Sequence, residues 1–110
     1  MRMIVANEPQ AYRDVMAGAV RELRPHVEVV MVHPDDLNAA VQSLVPQVVL
    51  CSREATVVET VPLATIVLYP GGRSLAVVTV EGRRRTSTSL DFDAVLAIVD
   101  EVELLNRRAR

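Results

Sequence analysis

A chain of 110 residues, half of them apolar, suits one domain with one hydrophobic core. Its formal charge of -2 weighs against a nucleic-acid binder, and its twelve basic residues are all arginine, which excludes any mechanism that needs a lysine ammonium. The single Cys51 cannot form an internal disulfide, and with two scattered histidines it makes no zinc set, so neither a metal nor a cofactor is expected.

Aromatic residues make up only 3% of the chain, so the core must be built from Val, Leu, Ala and Ile. No apolar run reaches the ~18 residues of a membrane span, and the N-terminus shows no signal-peptide pattern. The expectation is a cytoplasmic protein with no membrane contact.

The chain opens on Met3-Ile4-Val5-Ala6-Asn7-Glu8-Pro9, an apolar run that enters a turn. Residues 3–6 read as a first strand, and the carboxyl end of such a strand is where ligands sit in wound α/β folds. That end is held here by the neutral Ala6 and Asn7. Residues 9–24 read as a helix with Asn7 as N-cap and Pro25 as stop. Its spacing puts Tyr12, Val15, Met16, Ala19, Val20 and Leu23 on the buried face and Arg13, Asp14, Arg21 and Glu22 opposite.

Residues 27–32 read as a second strand, and 35–45 as a helix burying Leu37, Ala40, Val41, Leu44 and Val45 before Pro46 ends it. The continuous apolar run at 47–51 suits a strand covered on both faces of a parallel sheet. Residues 54–60 suit a short helix closed by Pro62, and 64–68 a fourth strand. The segment 69–74 is too short for a parallel crossover, so 75–80 should run antiparallel to the fourth strand. Glu81-Gly82 has the length and glycine content of a tight hairpin turn, with 83–87 returning as an arginine-rich edge strand. Residues 91–105 form the last helix, with Phe92, Val95, Leu96, Val99 and Val102 inward and end charges that complement the helix dipole.

The opening from Met3 to Arg13 resembles that of a bacterial response-regulator receiver domain, an apolar strand followed by Glu8-Pro9 and a helix carrying Arg13. Val27-Glu28-Val29-Val30 and Pro46-Gln47-Val48-Val49-Leu50-Cys51-Ser52 resemble the second and third strands of that family. The resemblance covers residues 1–52 and 88–105, and implies a flavodoxin-like three-layer α/β/α fold. The expected sheet is mostly parallel, of order 2-1-3-4-5-6, with a C-terminal β-hairpin replacing the fourth helix. It also shows what this chain lacks. Ala6 and Asn7 stand where receivers carry two acids, Ser52 where they carry the phosphorylated Asp, Tyr69 where they carry Ser or Thr, and Thr88, Ser89 and Leu90 where they carry Lys-Pro-Phe. Mg²⁺ wants carboxylate oxygens, and a serine cannot form an acyl phosphate. The resemblance therefore implies a pseudo-receiver, a non-enzymatic regulatory or protein-interaction module that works without Asp phosphorylation.

Other readings belong to different classes. A small-molecule or anion-binding domain would seat its ligand over Asn7, Ser52, Arg53, Tyr69 and Arg73. A phosphotransfer protein would use Cys51 as a thiolate beside Arg53, although cysteine at such a place is more often a small buried hydrophobe. Ser52 has no convincing histidine partner, since His26 and His33 flank the second strand. Gly71-Gly72-Arg73-Ser74 could cradle an anion but lacks phosphate-loop spacing, which favours a plain turn. Arg83, Arg84 and Arg85 could meet phosphates or an acidic partner; alternation along a strand splits them between two faces, as expected of a charge-protected edge. The run 75–80 presents Leu75, Val77 and Thr79 one way and Ala76, Val78 and Val80 the other. One helix can cover only one set, so the run is either a buried inner strand or leaves an exposed apolar strip; the second reading predicts a homodimer built on the hairpin, through Val78 or Val77, or on the adjoining helix.

Overall fold

The computed structural model describes residues 1–53, 62–69, 75–88 and 90–108. In chain order these form β1 (Arg2–Ala6), α1 (Gln10–Leu23), β2 (Glu28–Met31), α2 (Leu37–Leu44), β3 (Val48–Cys51), β4 (Ala64–Leu68), β5 (Ala76–Val80), β6 (Arg83–Ser87) and α3 (Phe92–Arg108). A short 3-10 turn at Pro34–Asp36 leads into α2. The helix expected at 54–60 and the glycine turn at 70–74 lie outside the described residues.

The strands make one six-stranded sheet in the order β2-β1-β3-β4-β5-β6. β1 pairs in parallel with β2 and β3, and β3 in parallel with β4, whereas β4–β5 and β5–β6 are antiparallel. The strand order is the expected one, but the flavodoxin-like layout is not what the chain adopts. A doubly wound sheet needs a helical crossover after each strand. Here β4, β5 and β6 are consecutive neighbours running up and down, and β5 turns into β6 through two residues, which can join only antiparallel strands. The architecture is a mixed sheet with three α-helices among the described residues.

Side-chain alternation sorts the core into two parts. Met3, Val5, Val29, Val48, Leu50, Ile66, Leu68 and Val78 face α1 and α3, whose Met16, Ala17, Val20, Val95, Leu96, Ile98, Val99 and Val102 cover them. Ile4, Ala6, Val49, Cys51, Val67 and Val77 face the other way, with Leu37 and Val41 of α2. Each fully buried Val, Leu or Ile stabilises by about 1.5–3 kcal/mol through area removed from water.

Both faces of β5 are therefore filled within one chain: Val77 is 6% exposed and Val78 1%. The apolar strip expected on one side of the hairpin is absent there. Val78 belongs to the core beneath α3 and presents nothing to a partner.

α1 also differs from its expected orientation. Its buried residues are Arg13, Met16, Ala17 and Val20, whereas Val15 is 65% exposed and Leu23 50%. Two overlapping stripes were available in this segment, and the one centred on the small Ala17 lies closest to the sheet. Pro9, not Asn7, occupies the N-cap position, and no side chain caps the helix. α2 ends on Val45 in the left-handed region (φ 47°), and the helix stops there before Pro46. At the hairpin tip Glu81 (φ 49°) and Gly82 (φ 79°) both take positive φ, the requirement of a two-residue turn whose twist matches its strands. Asp91 Oδ1 accepts the Ala94 N–H at 2.8 Å and caps the start of α3.

Candidate functional site

Because β1, β2, β3 and β4 run in parallel, their carboxyl ends share one rim of the sheet. Asn7 is the first residue past β1. It is fully buried, yet among the described residues neither Oδ1 nor Nδ2 has a hydrogen-bond partner. Buried polar groups nearly always find partners, so a carboxamide with both atoms orphaned needs a cause.

The loops around Asn7 are tied to one another. The Glu8 N–H donates to Ser52 Oγ at 3.0 Å, pinning the segment after β1 to the end of β3. Arg53 donates from Nε to Glu8 Oε1 at 2.6 Å and from Nη2 to Asp35 Oδ1 at 3.1 Å, bridging the loops that follow β1, β2 and β3. The hydrogen bond to Glu8, more than that to Asp35, raises the Arg53 guanidinium above its ordinary value. These three side chains are about half exposed or more, and ion pairs in that setting contribute little to stability. They tie together the three loops at the carboxyl ends of β1, β2 and β3.

Arg13 is the second buried polar residue among those described, and it too lies at this end. Its Nη1 donates to the Val32 carbonyl at 3.5 Å, just past β2. Sequence reasoning placed Arg13 on the solvent face. Its place in the first turn after Asn7-Glu8-Pro9 was the available signal, because that turn sits over the carboxyl ends of β1 and β2.

Tyr69 follows β4 in the left-handed region (φ 53°), and its hydroxyl donates to the Leu90 carbonyl at 3.4 Å. Burial first, and then the neighbouring Tyr69, raise the hydroxyl of Tyr12, in the first turn of α1, above its ordinary value. Arg73 lies outside the described residues. The structure thus brings Asn7, Ser52 and Arg53 together and adds Glu8, Asp35 and Arg13, with Tyr69 one strand further along.

The side chains gathered here offer one carboxamide, one hydroxyl, two guanidinium groups and two carboxylates. Ser52 Oγ accepts from the Glu8 backbone amide and His33 Nδ1 accepts from Asp35 N at 3.1 Å; among the described residues no hydrogen bond joins the two side chains. Cys51 is 1% exposed and its thiol donates to the Arg53 carbonyl at 3.0 Å, the environment of a structural cysteine and not of an accessible thiolate. Among the described residues no group of three His, Cys, Asp or Glu side chains is placed to hold a metal ion. A carboxamide with one donor and one acceptor side is complementary to a ligand edge that offers both.

Arg83, Arg84 and Arg85 are exposed on β6 at the far edge of the sheet, away from β1 and β3. No protein-family model, curated protein or solved structure matches this chain.

Proposed function

We propose that this protein is a non-enzymatic regulatory module that binds a small polar molecule at the carboxyl ends of β1 and β3. The observation that carries this reading is the orphaned carboxamide of Asn7, fully buried at the rim where open α/β sheets hold their ligands. The class of ligand follows from the amide: a planar group with adjacent donor and acceptor, such as a primary amide, a urea or the edge of a nucleobase. Arg53, Glu8 and Asp35 form a linked polar group at the same carboxyl ends. The neutral residues at the positions where receivers carry acids support action without Asp phosphorylation, with the bound state passed to a partner protein.

Thermal shift and NMR titration against amides, ureas and nucleosides test the reading. A ligand that stabilises the native chain and moves the Asn7 side-chain amide resonances, but leaves Asn7→Leu unmoved, is the expected result. Ligands that bind both chains equally would place recognition elsewhere and overturn it.

A further inference from the structure

A second site lies on the opposite side of the molecule. Val80, Glu81, Arg83, Arg84, Arg85 and Glu101 line a cleft of about 440 Å³ between the hairpin and α3. In the ladder, Arg83 is opposite Val80 and Arg85 opposite Val78, and both valines pack in the core beneath α3. Residues opposite one another share a face, so Arg83 and Arg85 rise together on the α3 side, roughly 7 Å apart along the strand. Neither guanidinium has a side-chain hydrogen bond or ion pair among the described residues. Arg2, Arg24, Arg53 and Arg107, by contrast, each hold a carboxylate. Glu101 looks into the same cleft from α3 and pairs with neither arginine.

We propose that this cleft binds a compact phosphate-bearing small molecule, with Arg83 and Arg85 gripping its phosphate oxygens. Two guanidinium forks on one face match a group that carries two negative charges and several oxygens, where a single carboxylate would satisfy only one fork. The volume lies within the roughly 300–1,000 Å³ of small-molecule sites. Glu81 and Glu101 on the walls, in a chain of net charge -2, oppose a long polyanion and leave room for a short one. The site stands apart from Asn7, and either can fail without the other.

Isothermal titration and amide NMR with inorganic pyrophosphate and with a nucleoside diphosphate give the test. Saturable binding of either, with shifts centred on 83–85 and 101, supports the proposal. Equal affinities point to the free anion as the source, and tighter binding of the diphosphate ester points to a nucleotide whose remainder fills the cleft. Replacing both arginines, Arg83→Ala with Arg85→Ala, should weaken binding by roughly tenfold or more, as expected for loss of charge-assisted hydrogen bonds. Both side chains are exposed and outside the core, so the amide spectrum of the double variant should keep its native dispersion. Glu101→Gln should tighten binding, because it removes a like charge from the wall. No binding at millimolar ligand, malonate binding as tightly as pyrophosphate, or an affinity untouched by the double variant would each overturn the assignment.

Discussion

Asn7 offers the sharpest perturbation. Its carboxamide is buried with two polar atoms unpartnered, and a buried unsatisfied group destabilises by about 1–3 kcal/mol. Asn7→Leu keeps the branched outline and removes both atoms, while Asn7→Ala removes them without risk of overpacking. At roughly 4–6 °C per kcal/mol for a chain of this size, the better of the two should melt about 5–15 °C above the native protein. That gain would come with loss of ligand response, the usual relation between a binding group and stability. Asn7→Asp should do the reverse and lower stability, more at neutral pH than in acid, because an unpartnered buried carboxyl resists ionisation. Differential scanning calorimetry on the three variants at matched pH is the assay. If Leu and Ala both melt well below the native chain, the amide has partners after all, and the reasoning behind the proposed site fails.

Other expectations follow from the core, the hairpin and the helix ends. Val78→Ala should cost about 1–3 kcal/mol in urea unfolding, because it empties a core position beneath α3; a neutral result would mean that α3 does not cover β5. At Gly82, where an added Cβ would meet nothing within 4 Å, Ala should still cost about 1 kcal/mol from the positive φ alone, read from the shift in melting midpoint. The hydrogen bond from Arg24 holds the Asp100 carboxyl below its ordinary 3.8, and the one from His26 holds Glu103 below 4.5. Both depressed carboxyls contribute stability that is present above those ordinary values and lost as pH falls through the lower folded ones. Asp100→Asn should flatten the acid side of the stability profile slightly, since the group is half exposed, and an unchanged acid slope would count against the pair.

Much of the sheet was legible because it rests on local chemistry. Glu81-Gly82 names its turn through the φ values it needs, and the short link between β4 and β5 leaves only an antiparallel return. The family likeness misled on architecture, since residues 1–52 read like a doubly wound fold and the hairpin half does not continue it. Arg13 and Val15 exchanged faces because periodicity finds a stripe but not which of two overlapping stripes meets the sheet. Asn7 was singled out for its place at the end of β1. That its amide would be buried without partners among the described residues depends on three-dimensional packing around the end of β1, which no spacing reveals. The cleft under Arg83 and Arg85 was missed because alternation was read as splitting the three arginines, when two of them share the face that α3 overlooks.

The two halves of the sheet differ in how far the chain must travel to close them. Met3 meets Val29 and Val48 across long stretches of intervening sequence, whereas Val80 meets Arg83 across two residues. Closure entropy grows with the enclosed loop, and distant pairings slow folding. The first strand to be made is thus a late one to be fastened, since its neighbours on both sides arrive after it. We expect the hairpin end of the sheet to condense early and the rim that holds Asn7 to set last. In pulse-labelled hydrogen exchange, amides of β5 and β6 should gain protection before those of β1, and the opposite order would contradict this sequence of events.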